Sequence, residues 1–119
     1  MSITAEEYIN YWSLPEQERD DRDLLLTDLV VTNPSEAIWA MDEIIAATEN
    51  KVILSVLGAG ELEDLLASPD AKSYLDDITE RTRKYAGWRY AFCCMYTTSF
   101  ADTRVRDECN ALIALYGRS

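Results

Sequence analysis

The sequence predicts an all-α protein, a single domain of six to seven short helices in stacked hairpins. Glycine and proline are scarce, with 4 and 3 copies in 119 residues. Apolar residues make up 48% of the chain and are spread along it, so a core needs neither disulfides nor a metal. Apolar positions recur at three- and four-residue spacings, the period of a helix that buries one face. For this length, one domain covering residues 1–119 is the expectation.

Capping residues mark the predicted helix starts. Thr4 precedes a glutamate by three residues, which is the spacing of a capping box. Asn33 followed by Pro34 is the clearest start, since asparagine caps a helix and proline fits its first position. Similar signals predict helices that begin at Pro69 and after Ser99, where Asp102 supplies the acidic partner of the cap.

Apolar stripes along these helices predict which faces are buried. The first helix carries an aromatic face, and the helix after Pro34 carries an aliphatic face with Trp39 beside it. The segment Trp88–Tyr96 is predicted to be a fully buried helix that follows a helix end at Gly87. The predicted inward residues are Tyr8, Tyr11, Trp12, Ile38, Met41, Ile44, Ile45, Val105, Cys109, Leu112 and Ile113.

Residues 52–67 form the most apolar stretch and are predicted to be the middle of the core. Lys51–Leu57 is interpreted as a short helix, although Val52, Ile53 and Val56 also allow a buried strand. Gly58 is predicted to end that helix in the left-handed conformation. A second short helix then follows, which makes the stretch a helix-to-helix corner. Its acidic residues are expected to point outward, and they exclude a phosphate-binding loop because carboxylates repel phosphate.

The charge is strongly acidic and unevenly distributed. The net charge is −11; residues 1–80 hold 19 acidic and 4 basic residues, whereas residues 81–119 hold 3 and 7. This balance disfavours direct binding to nucleic acid or to an anionic membrane. Two interpretations remain open. The basic last third pairs internally with the acids, or an acidic face serves a cationic protein partner.

Catalytic, metal and cofactor signatures are weak. Histidine is absent, which removes His-based acid–base catalysis and His metal ligands. The acidic run at 20–23 lacks the glycine and terminal glutamate of an EF-hand loop. The cysteines Cys93, Cys94 and Cys109 are expected to be reduced, buried thiols. We therefore expect no catalytic residues, no metal, no cofactor and no enzymatic activity. Without a secretory leader pattern at the N-terminus, the expected location is cytoplasmic.

The segment 36–96 resembles a family of small, uncharacterised bacterial helical proteins. The resemblance rests on a Trp-led amphipathic helix (Trp39–Ile45), on a Leu-Gly-Ala-Gly-x-Leu-Glu-Asp-Leu-Leu motif (Leu57–Leu66) and on a charged helix that follows (Tyr74–Arg83). Position 61 is Glu where the family commonly has Pro. Because the family has no established activity, the resemblance implies an α-helical fold and a bacterial or phage origin.

The acidity and the missing catalytic set together predict a non-enzymatic protein-binding module. The leading expectation is an inhibitor of the immunity-protein type that neutralises a basic toxin or nuclease domain. Alternatives are a phage or mobile-element inhibitor that mimics nucleic-acid charge, and a small carboxylate-based hydrolase. A homodimer through the helices that carry Trp12, Trp39 and Trp88 is a further expectation. The candidate partner-binding residues are Glu16, Glu18, Asp20, Asp21, Asp23, Glu61, Glu63, Asp64, Asp76 and Asp77.

Overall fold

A computed structural model describes residues 5–19 and 25–117, and within these ranges the chain forms helices and no strand. The all-α prediction is confirmed. The α-helices are α1 (Ala5–Ser13), α2 (Leu25–Thr32), α3 (Pro34–Ala47), α4 (Lys51–Leu57), α5 (Glu63–Ala67), α6 (Lys72–Lys84), α7 (Ala86–Cys93) and α8 (Thr103–Tyr116). A π-helical turn, Gly58–Leu62, joins α4 to α5. The described residues thus contain seven helical rods when 51–67 is counted as one.

The helix start at Asn33 follows the predicted capping chemistry, whereas the helix predicted from Pro69 begins at Lys72 and has no side-chain cap. Asn33 accepts a hydrogen bond from the Glu36 backbone N–H at 3.3 Å and donates its side-chain amide to the Glu36 carboxylate at 3.2 Å. The cap of the last helix was assigned wrongly, because Asp102 rather than Ser99 accepts from the first turn, at 2.9 Å from the Arg104 N–H. The predicted cap at Thr4 lies outside the described residues.

The continuous rod 51–67 contributes much of the core. It packs against α7 along most of its length and also contacts α1, α2 and α6. Four leucines of this rod, Leu57, Leu62, Leu65 and Leu66, have no exposed surface. Burial of a leucine side chain stabilises the fold by about 2 kcal/mol each. The predicted role of this stretch in the core is therefore confirmed.

The predicted corner in this stretch is wrong. Gly58 has φ −65° and ψ −50°, so the chain continues as a helix and does not enter the left-handed conformation. Glycine is required for another reason: a Cβ atom at Gly58 would lie 1.9 Å from the Ala91 carbonyl oxygen. The π turn, with one extra residue in its ring, brings this backbone against α7 without breaking the rod.

Gly87 was also misassigned as a helix end. The preceding helix α6 ends at Lys84, and Gly87 lies in the first turn of α7. A Cβ atom there would lie 2.5 Å from Cγ2 of Ile45 in α3, so the glycine permits close packing of α7 on α3. The helix predicted as Trp88–Tyr96 begins earlier, at Ala86, and ends earlier, at Cys93. It is not fully buried, since Tyr90 within it is 38% exposed, and Tyr96 beyond its end is 65% exposed. Gly117, in contrast, ends α8 with a φ of 91°, as glycine at that position allows.

Within the described ranges, no helix is both long enough and apolar enough to cross a bilayer.

Candidate functional site

A buried pair of polar side chains joins α1 to the π turn. The Tyr8 hydroxyl donates to the Glu61 carboxylate at 3.0 Å, across 53 positions of sequence. Tyr8 has no exposed surface and Glu61 is 6% exposed. The expectation that Glu61 points outward is therefore wrong. Glu61 lies within the π turn. Its side chain lies among the apolar side chains of the surrounding helices, so the carboxylate is buried in the core.

Burial shifts the ionisation of both partners. Removal of the Glu61 carboxyl from water raises its pKa from 4.5 to about 7, and the charge of Asp64 adds to the rise, while the Tyr8 hydrogen bond lowers it. Burial also raises the pKa of Tyr8, so its hydroxyl remains a neutral donor. Neither residue lines the groove between α3, α6 and α7 that is described below. The pair is placed to hold α1 on the 51–67 rod.

The other two acidic residues of the motif differ from Glu61 and from each other. Glu63 is half-buried and accepts a hydrogen bond from the Tyr96 backbone N–H at 2.6 Å, which anchors the chain after α7. Asp64 is exposed. Thus the three motif acids, which sequence reasoning placed together on one outer face, divide between the core, a structural contact and the solvent.

The remaining predicted partner-binding carboxylates are distributed over separate elements. Glu16 and Glu18 are exposed in the 3₁₀ turn Glu16–Glu18. Asp76 and Asp77 are exposed on the middle of α6. The predictions for Asp20, Asp21 and Asp23 lie outside the described residues. Among the described carboxylates that the sequence predicted to bind a partner, Asp76 and Asp77 are the two that lie next to each other, exposed, on a regular helix.

An open groove, not anticipated from the sequence, lies where α3, α6 and α7 meet. It has a wide lobe of about 690 Å³ and continues toward the start of α4 as a second lobe of about 490 Å³. We call the two lobes together the α3–α7 groove. The lobes share a floor of small and aliphatic residues, Ile45, Ala46, Ala86 and Gly87. The pairs Ala46-Ala47 and Ala86-Gly87 were the only sequence signal, and such small residues are common in ordinary helices.

One wall of the groove is held by a polar network around Asp42. The Asp42 carboxylate accepts from Nε of Arg81 at 2.9 and 3.1 Å and from the indole N–H of Trp88 at 2.9 Å. These bonds tie α3 to both α6 and α7. The hydrogen bond that Arg81 donates to Asp42 also raises the pKa of the Arg81 guanidinium. The network holds α3, α6 and α7 in a fixed arrangement at this wall of the groove.

Exposed aromatic rings border the groove. Tyr85 is 56% exposed and Tyr90 is 38% exposed, and both line it. Trp39 is 71% exposed. It lies on the face of α3 that carries Asp42 and Ala46, because positions three and seven apart on a helix share a face. The Trp39 ring lines neither lobe of the groove and lies on the exposed side of α3, one turn before Asp42.

The chemistry of the groove favours binding over acid–base catalysis. A general acid needs a carboxyl with a raised pKa. In the groove, Asp42 is bound by Arg81, and the Lys84 ammonium beside Glu80 lowers the pKa of that carboxyl. The described residues also contain no group of three or more His, Cys, Asp or Glu side chains that could hold a metal ion.

Comparison of the chain with protein-family models, with curated proteins and with solved structures gave no match. The resemblance of 36–96 to a bacterial helical family stays a prediction that rests on its motif.

Proposed function

We propose that the protein is a non-enzymatic binding module whose acidic surface recognises a basic protein partner. The observation that carries the proposal is the pair Asp76 and Asp77 on α6. Both side chains are exposed, and neither carboxylate forms an ion pair with another residue in the described ranges. They leave a negative charge on a rigid helix, available to a partner.

Within the described ranges no basic side chain forms an ion pair with Asp76 or Asp77; the charge of Asp77 acts on Arg81, one turn further on, and helps to raise the pKa of that guanidinium. Arg81 binds Asp42 and Lys84 binds Glu80. Three others lie over aromatic rings, with distances to the ring centroid of 4.7 to 5.7 Å: Arg19 on Trp12, Lys51 on Tyr90, and Arg89 on Tyr116. The internal pairing expected for the basic last third is present for Arg81 with Asp42, for Lys84 with Glu80 and for Arg106 with Asp107. The chain as a whole carries a net charge of −11, so acidic residues remain in excess.

An inhibitor of the immunity-protein type would use such a surface for fast capture. Complementary charge speeds association and discriminates against acidic competitors, and both effects weaken as salt screens the field. The exposed acidic residues that would contribute to this attraction lie on three separate elements: Glu16 and Glu18 on the 3₁₀ turn, Asp64 on α5, and Asp76 and Asp77 on α6. Glu61 and Glu63 are not in this set because their carboxylates bind within the fold.

A pair of matched charge reversals tests this function. The tagged protein is used at low salt to capture partners from host cells, alongside the double variant Asp76→Lys/Asp77→Lys. The control is Asp107→Lys/Glu108→Lys, which also reverses two adjacent exposed acids on a helix, although Asp107, unlike Asp76 and Asp77, is ion-paired, with Arg106. A captured basic protein is then purified and titrated calorimetrically against all three forms between low and physiological salt.

The expected result is an affinity that falls steeply with salt and falls at least about tenfold in the α6 variant, since two charge reversals at a contact remove favourable pairs and add repulsion. The α8 variant should stay within about threefold of the unsubstituted protein. Equal affinity of the two variants, affinity insensitive to salt, or capture of acidic proteins alone would overturn the proposal.

A further inference from the structure

The first helix, α1, is anchored to the rest of the fold by few side chains. It packs mainly on α3 and also contacts α4. Tyr8 is its one buried residue, while Ala5, Ile9 and Trp12 are only partly buried. Buried apolar area is what holds a helix against its neighbours, so an element with so little of it belongs to the least stable part of a fold. α1 can therefore open while the remaining core stays packed.

Two donors at this end of the chain are buried without a hydrogen bond. Nε1 of Trp12 and Nε of Arg19 have no hydrogen-bond partner within the part of the chain that the structure describes. The Arg19 guanidinium lies over the Trp12 ring, 4.9 Å from its centroid. A buried donor without an acceptor is less stable than the same donor in water. Because opening of α1 returns the Trp12 indole to water, this contact favours the open form at every pH.

Glu61 makes the balance between the closed and open forms depend on protonation. Its carboxyl lies in the π turn, is 6% exposed and accepts the hydrogen bond of the Tyr8 hydroxyl. A buried carboxylate without a cation is unfavourable because it has lost its hydration, and one hydrogen bond from a neutral hydroxyl offsets only part of that loss. The Tyr8 side chain covers the carboxyl on the side of this bond, so withdrawal of α1 admits water there.

The charged groups on the surrounding elements supply no compensating cation. The π turn packs against α2, α4, α5 and α7. Asp64 on α5 adds a like charge that favours the protonated form of Glu61. Lys51 on α4 lies over the Tyr90 ring, and Arg89 on α7 lies over the Tyr116 ring. The other titratable groups of these elements and of α1 are Glu6, Glu7, Tyr11, Glu63, Cys93 and Asp28, whose side chain lies outside the described residues.

We infer that α1 is a pH-sensitive segment of the fold: it stays packed on α3 and α4 while Glu61 is protonated, and it opens ahead of the other helices when Glu61 is ionised. Burial raises the pKa of Glu61 from 4.5 to about 7, so the closed form binds this proton more tightly than the open form, in which the carboxyl is hydrated. Closure is favoured most below about pH 4.5, and this advantage is lost as the pH rises to about 7. The inference does not depend on the proposed function.

Native-state hydrogen exchange, followed by NMR at pH 5, 6, 7 and 8, tests this inference because it detects an open form even when the closed form predominates. The quantity compared is the protection factor of each amide, which is the exchange rate of the unfolded chain at that pH divided by the measured rate. Between pH 5 and pH 8, protection of the α1 amides from Ile9 to Ser13 should fall at least about tenfold more than protection in α8. The reason is that a pKa difference of more than one unit changes the opening equilibrium more than tenfold.

Two substitutions in the π turn and α5 identify the group that titrates. Glu61→Gln keeps an acceptor for the Tyr8 hydroxyl and cannot ionise, so protection of α1 relative to α8 should change by less than about twofold over the same range. Glu63→Gln is the matched control, because it also neutralises an acid of the motif that accepts a hydrogen bond, in its case from the Tyr96 backbone. The Glu63→Gln variant should keep the pH dependence of the unsubstituted protein.

The inference fails if α1 and α8 lose protection together, since the opening would then be global. It also fails if α1 keeps its protection between pH 5 and pH 8, if Glu61→Gln still shows the fall, or if Glu63→Gln abolishes it. The proposed function is judged separately, by the salt dependence of the captured partner and by the charge reversal on α6.

Discussion

The buried Tyr8–Glu61 pair makes the stability of the fold depend on pH in a direction opposite to that of a salt-bridged carboxylate. The folded protein raises the pKa of Glu61 from 4.5 to about 7 because the ionised form loses its hydration. The folded state therefore holds this proton more tightly than the unfolded state. The stabilisation is complete below about pH 4.5 and is lost as the pH rises to about 7.

The size of the effect on stability follows from the two pKa values of Glu61, the ordinary value and the value in the folded protein. At about 1.4 kcal/mol per pH unit, a rise from 4.5 to about 7 corresponds to about 3 kcal/mol of unfolding free energy. The test variant is Glu61→Gln, which keeps an acceptor for the Tyr8 hydroxyl and does not titrate. Urea unfolding followed by circular dichroism at pH 5, 6, 7 and 8 gives the unfolding free energy of both proteins.

The informative quantity is the difference in unfolding free energy between the Glu61→Gln variant and the unsubstituted protein at each pH, because the other carboxylates contribute equally to both. We expect this difference to shift by about 2 to 3 kcal/mol in favour of the variant between pH 5 and pH 8. A difference that stays constant across this range would show that Glu61 titrates normally in the folded state. The reasoning from burial would then be refuted.

Three further predictions concern the packing around the groove and the motif. Gly58→Ala should destabilise the fold by about 3 kcal/mol or more, since the added Cβ would overlap the α7 backbone. Gly60→Ala should stabilise the fold by up to about 1 kcal/mol, because no atom lies within 4 Å of the added Cβ. Equal urea midpoints for the two variants would contradict this prediction. Asp42→Ala should cost about 1 to 3 kcal/mol and alter tryptophan emission, while Glu43→Ala beside it should do neither. Burial raises the pKa of the Cys109 thiol to about 12. Its reaction with a disulfide reagent near neutral pH should therefore require unfolding, unlike that of the half-buried Cys93 and Cys94. Fast labelling of Cys109 in the native state would argue against a closed core.

The sequence predicted the elements better than their junctions. Helical periodicity and the Asn33 cap depend on neighbours within one or two turns, and both were confirmed. The roles of Gly58 and Gly87 depend on another helix, because each lacks a Cβ where a residue of α7 or α3 comes close. A local rule assigns glycine to helix ends, and it failed at both positions since the constraint was tertiary.

The site was predicted less well for a related reason. A carboxylate in an acidic stretch is expected to be solvated, and sequence alone gave no reason to exempt Glu61. Its partner, Tyr8, is 53 positions away on a helix predicted only to pack. The α3–α7 groove was missed because it is the space between helices. The residues shared by its two lobes are Ile45, Ala46, Ala86 and Gly87, and these residue types carry no chemical signature in a sequence.

The most recognisable motif of the chain, Leu57–Leu66, therefore indicates the fold and not the partner. Its leucines are buried, Gly58 contacts the α7 backbone, and Glu61 binds Tyr8 in the interior. Substitutions of these buried residues would disrupt binding only by disrupting the fold. Residues that decide partner choice must be accessible, and on the proposed function Asp76 and Asp77 on α6 meet that condition, as does the exposed Asp64 within the motif. A chain that shares the motif but lacks these exposed acids would be expected to adopt this fold and to bind a different partner.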